Sequence, residues 1–168
     1  VYSNTATTLL GYVLQNNKNK DDYQDLLFSE VFSKLGMYSS TTKITKNSLF
    51  VSKGYNGDVM NEPLDLYSFA PAGGIYSNVR DMMSYLALHM GLYDKYNLHQ
   101  GLSSAAKASH DYQDAFDAMN DIGMAWFRYA YEDKVYIYHP GGVTGYASFM
   151  GFTDDYSKGI IILSASGA

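Results

Sequence analysis

From residue 122 onward the hydrophobic period of this chain changes, and that change limits the folds open to it. "GMAWFRYAY", "KVYIYHP", "YASFMGFT" and "GIIILSAS" are short segments rich in aromatic and β-branched residues. Such residues suit a pleated, half-buried surface. "EDK" separates the first pair and "DDYSKG" the last pair, so the segments read as an antiparallel meander. "IIIL" is continuously apolar, which predicts a central strand buried on both faces.

Upstream of that point the pattern is helical. Leu9, Leu10, Val13 and Leu14 recur at helical spacing over residues 5–15, although Gly11 weakens that helix. Leu26, Leu27, Val31, Phe32 and Leu35 mark a second helix over 22–35, with Asp21 or Asp22 as its cap and Gly36 as its left-handed end. A third helix carries Val79, Met82, Met83, Leu86 and Met90 on one face. Ser77 or Asn78 caps it and Gly91 stops it. Residues 93–121 read as short helix and loops. Helices first and antiparallel strands last imply an α+β fold, with 1–121 mainly helical and 122–168 stranded. A three- or four-stranded sheet with a bare edge would aggregate. We therefore expect both ends to be cut from a larger domain, and another segment or chain to pair with or cover this sheet.

Composition narrows the function. With 168 residues, 46% hydrophobic and 17% charged, the chain can bury a core and is not a disordered segment. Its formal charge is −5 and no stretch carries a basic stripe, so nucleic acid is not an expected partner. It has no cysteine, which excludes disulfides and thiolate-bound metal. No apolar run approaches membrane-spanning length. Its 17 tyrosines suit either partly wet clefts or an ordinary tyrosine-rich surface and core.

Several chemical signatures are absent: the HExxH zinc helix, the phosphate-binding glycine loop with lysine, and the G-x-S-x-G elbow. The four histidines have no metal-ligand spacing among them, so neither metal nor cofactor is expected. His89 falls within a predicted helix, and His99 and His110 read as surface residues. His139 stands at a strand end before a glycine-rich turn, in "YIYHPGGVTGYASF". There the backbone can approach a ligand closely, or the stretch is a plain hairpin. Ser40 and Lys43 in "SSTTK" have a spacing that would share a helix face. However, their stretch follows "LGM" and reads as a loop, so Ser40 is set aside as a nucleophile.

Four stretches occur in the order and rough spacing of one family: "YSNTATTLLGYVL", "LGMYSST", "PAGGIYSNVRDMMSYL" and "HPGGVTGYASF". The chain resembles the class C β-lactamase-like serine hydrolases, the penicillin-binding-protein-like group with its D-Ala-D-Ala carboxypeptidase and esterase relatives. The resemblance implies a helical region packed on an antiparallel sheet, here incomplete, and acyl transfer through a serine ester. It implies that Tyr2 moves the proton between nucleophile and leaving group. Asn4 would hold the family's lysine and hydrogen-bond the substrate. His139 and Gly141 match the strand-borne third motif, and Gly142 supplies the oxyanion N–H. A phenol has a pKa of about 10, so the tyrosine needs nearby positive charge to act as a base.

The chain departs from the pattern twice. No Ser-x-x-Lys precedes Tyr2, so the nucleophile is expected on a missing N-terminal segment and the 168 residues alone are expected to be inactive. His139-Pro140-Gly141 also replaces Lys-Thr-Gly, which removes a hydroxyl contact and favours a peptidase- or esterase-like enzyme over a true β-lactamase. The implied substrate is a small molecule or peptide carrying an amide, ester or β-lactam. The family is often extracytoplasmic. The alternative is a non-catalytic scaffold of the same fold that binds peptidoglycan-like peptides or its own copies.

Overall fold

A computed structural model describes residues 2–44, 51–92 and 102–167; His99 lies outside them. Its helices are α1 (Asn4–Asn17), α2 (Tyr23–Leu27), α3 (Ser33–Leu35), α4 (Ala70–Gly73), α5 (Val79–His89) and α6 (Ser103–His110). Its strands are β1 (Gly54–Asn56), β2 (Val59–Asn61), β3 (Asp114–Ala115), β4 (Asn120–Ile122), β5 (Phe127–Tyr131), β6 (Lys134–Val143), β7 (Tyr146–Thr153), β8 (Gly159–Ser164) and β9 (Ser166–Gly167). Strands thus also form within the stretch read as mainly helical. The chain divides into two compact units. One comprises residues 1–81, 141–147 and 163–168, and the other residues 82–140 and 148–162.

In the first unit, α1 starts at Ser3, whose hydroxyl accepts the Ala6 N–H. Leu9, Leu10, Val13 and Leu14 are all exposed, and the buried residue of α1 is Gly11. A β-carbon there would stand 2.5 Å from the Pro71 ring and 3.3 Å from Tyr23. The glycine that weakens the helix is therefore what lets α1 pack. Asp22 caps α2 by accepting the Asp25 N–H. From α2 the chain runs through a π turn (Phe28–Phe32) into α3. Gly36 closes that run at φ 69°. Leu26, Phe32 and Leu35 are its buried face. β1 pairs antiparallel with β2 and parallel with β9.

In the second unit, Leu86 of α5 packs with Trp126, Ile137, Met150 and Phe152 as the buried core. The six-stranded sheet has the order β3-β4-β5-β6-β7-β8. The meander is present, but the central placement of "IIIL" is overturned. Among the described residues β8 is the last strand of this sheet, and Ile160 and Ile162 are each 51% exposed. A continuous apolar run records two apolar faces, not a position in the strand order. On the outward face Tyr129, Tyr131, Tyr136, Tyr138, Phe149 and Ile160 line a groove of about 800 Å³. Four of the tyrosines line this groove.

His110, read as a surface residue, is buried at 2% exposure. It ends α6, and its Nε2 lies 2.7 Å from Nδ1 of His89 at the end of α5. Trp126 stands edge-on to both rings and Phe152 packs against both. Burial pushes both imidazoles well below their ordinary pKa of 6.5; nearby Arg128 adds to this at His110, while Asp111 opposes it. The unfolded chain therefore binds protons that the fold excludes. The stability this pair contributes is fully present above pH 6.5 and falls as the pH drops below it. A pH series of urea melts should show a midpoint that declines below pH 6.5, and His89→Phe should flatten that decline.

Gly11→Ala gives a second test. Alanine stabilises an open helix interior by about 1 kcal/mol, but here it meets the Pro71 ring, and overpacking costs about 1–3 kcal/mol. Calorimetry should show a lowered melting temperature.

Candidate active site

The "YSN" stretch is a helix start. Ser3 is the capping residue and Asn4 the first residue of α1. Capping also ties the backbone, because the Ser3 carbonyl accepts both the Thr7 N–H at 3.0 Å and the Thr7 hydroxyl at 3.1 Å. Tyr2 and Asn4 thus flank a fixed turn, and both are exposed. Exposure at a capped terminus suits side chains that meet a ligand.

Gly141 and Gly142 lie in the last part of β6, in the same unit as Tyr2 and Asn4. Both are exposed, and a β-carbon on Gly142 would meet nothing within 4 Å. Gly142 is therefore open to approach and is not a packing glycine. His139 belongs to the second unit. It is half-buried, with its ring 5.6 Å from that of Phe127. Burial lowers its pKa below 6.5, partly opposed by a hydrogen bond to the Pro140 backbone. Burial therefore disfavours the charged imidazole at this position.

Ser40 and Lys43 do not form a catalytic pair. The Ser40 hydroxyl donates to Asp81 Oδ2 at 2.8 Å and lies 2.8 Å from the Ser77 hydroxyl. Lys43 pairs with Asp22. Asp81 also accepts the Ser39 N–H at 2.8 Å, and its own N–H is held by Asn78 at 2.9 Å. Ser40 is 6% exposed and Asp81 3%, so this is a buried carboxylate satisfied by a loop. Asn78, not Ser77, accepts at the start of α5. Asp81 was not singled out in the sequence; its signal was an acidic residue three positions after Asn78, in the first turn of a helix. Among the described residues no cluster of three or more metal-ligating side chains occurs.

The Beta-lactamase family model matches residues 1–168. The chain belongs to the β-lactamase family. Solved structures share its fold. A class C β-lactamase from Rhodobacter sphaeroides superposes with a TM-score of 0.85 at 16% identity, over 99% of this chain and 55% of that one. A β-lactamase/D-alanine carboxypeptidase from Pseudomonas syringae gives 0.84 at 18% identity, over 100% and 55%. The D-amino acid amidase from Ochrobactrum anthropi SV3 gives 0.75 at 25% identity, over 100% and 50%. This β-lactamase-family chain thus spans about half the length of the structures it matches. The curated proteins yield no match.

Ser40→Ala removes a buried hydrogen bond to a carboxylate. It should lower stability by about 1–3 kcal/mol in a denaturant melt and leave any acylation rate unchanged, as a structural serine requires.

Proposed function

We propose that this chain supplies the tyrosine, asparagine and strand-borne part of a serine hydrolase site that works through an acyl-enzyme. The observation that carries the reading is the family match together with the placement of its motif residues. Tyr2 and Asn4 are exposed at a capped helix start, and Gly141 and Gly142 are exposed in the last part of β6, with open space around a β-carbon at Gly142. In this reading a serine hydroxyl attacks an amide, ester or β-lactam carbonyl. Tyr2 relays the proton from that hydroxyl to the leaving group. Asn4 orients the substrate, and the Gly142 N–H donates to the developing oxyanion. Gly141 binds the substrate, and His139 is the catalytic residue that heads the same strand-borne motif. Removing one oxyanion donor costs roughly 100-fold or more in rate.

The nucleophile in this reading comes from a Ser-x-x-Lys segment outside these 168 residues, since Ser40 is committed to Asp81 and Lys43 to Asp22. Pro140 offers neither a hydroxyl nor an N–H beside the site. This favours a peptidase- or esterase-like substrate over a β-lactam antibiotic.

A fluorescent penicillin and a fluorophosphonate should leave the 168-residue chain unlabelled and label a protein that joins it to a Ser-x-x-Lys segment. Tyr2→Phe in that protein should slow labelling at least tenfold. Labelling of the 168 residues alone would overturn the assignment of the nucleophile. No labelling of the joined protein by either probe would favour the scaffold reading.

A further inference from the structure

Gly141 and Gly142 have no side chains, so packing at those positions cannot fix where their N–H groups point. The fixed point lies three residues further on. Gly145, at φ +82°, closes the turn between β6 and β7, and it is buried. Its N–H donates to Asn56 Oδ1 at 3.1 Å, and its carbonyl accepts the Tyr55 N–H at 3.1 Å. That same Tyr55 N–H reaches the Ala165 carbonyl at 2.9 Å. The next residue, Tyr146, donates its hydroxyl to the Ser52 carbonyl at 2.6 Å. Its ring stands edge-on to Tyr76 at 6.0 Å.

Three glycines make this approach possible. A β-carbon on Gly54 would stand 2.7 Å from the Gly145 carbonyl oxygen, and one on Gly145 would stand 3.0 Å from the Gly54 backbone. A β-carbon on Gly167 would stand 2.7 Å from Asn56 Oδ1 and 3.0 Å from the Gly145 nitrogen. Backbone from β1, β9 and the β6–β7 turn therefore meets directly, and the Asn56 side chain bonds the turn's backbone across the junction. All of these residues belong to the first unit.

We propose that Asn56 is a positioning residue: by holding the Gly145 N–H it fixes the β6–β7 turn and thereby the direction of the Gly141 and Gly142 N–H groups. This rests on the acyl-transfer reading for its catalytic consequence, though not for its structural one. An oxyanion donor displaced by about 1 Å can cost on the order of 100-fold in rate.

The test uses the intact protein, with nitrocefin and p-nitrophenyl acetate as acylating probes. Asn56→Ala should lower the single-turnover acylation rate about tenfold or more, within the range for a disturbed oxyanion donor. Asn56→Asp keeps an oxygen acceptor for the N–H and should recover most of the loss. Backbone nitrogen relaxation, read residue by residue by NMR, should show order parameters at Gly141 and Gly142 falling from the rigid range of about 0.85 toward about 0.6 in Asn56→Ala and staying near wild type in Asn56→Asp. Unchanged order parameters at both glycines overturn the proposal whatever the activity. Lowered order parameters in a protein that neither probe acylates leave the positioning role standing and sink the acyl-transfer reading. If Asn56→Ala does not fold, Asn56→Ser withdraws the same amide oxygen with less loss of volume, and unchanged order parameters there overturn the proposal equally.

Discussion

Where Gly54, Gly145 and Gly167 meet, three stretches of backbone stand closer than a side chain would permit. The three-stranded sheet of the first unit depends on that approach. β9 can pair parallel with β1 only because Gly167 leaves room beside Asn56, and the β6–β7 turn reaches β1 only because Gly54 and Gly145 have no β-carbons. Glycine weakens strands through entropy, so a site built this way must recover the loss in hydrogen bonds. Here Asn56, Tyr55 and Tyr146 provide them. Gly11 repeats the device on a helix, where Pro71 takes the place of a side chain.

Buried polar groups organise the rest. Asp81 is satisfied by Ser39, Ser40 and Asn78, and so ties the loop after α3 to the start of α5. His89 and His110 join the ends of α5 and α6 over Trp126 and Phe152. The Nδ1 of His110 has no hydrogen-bond partner among the described residues. A neutral pair tolerates this, whereas a protonated one would leave a charge without compensation. The first device serves the unit that holds Tyr2, Asn4, Gly141 and Gly142. The second serves the core of the unit that holds His139.

Much of this was legible in the chain. Helical spacing located α1, the α2–α3 run and α5, and Asp22, Gly36 and Gly91 delimited them as read. Turn signals separated the strands of the meander, with Glu132 and Tyr156 taking positive φ in "EDK" and "DDYSKG". "YSN" and "HPGG" pointed to the family that the comparison with family models then showed. The rejection of Ser40 also followed from its loop context, and the bond to Asp81 explains it. Three features were not legible. The edge position of β8 depends on strand order, the burial of His110 on the packing of α6, and the role of Asn56 on a partner 89 positions away.

The sequence by itself determined α1, the α2–α3 run, α5, the strands of the meander, the delimiting residues Asp22, Gly36 and Gly91, and the α+β class. Each of these is encoded over a few neighbouring positions, by periodicity, capping chemistry or a short pattern. Tertiary structure alone decided which apolar runs face outward, which histidines are buried as a pair, and what holds the glycines of β6 in place. Those outcomes depend on contacts between residues far apart in the chain, and local spacing carries no record of such contacts.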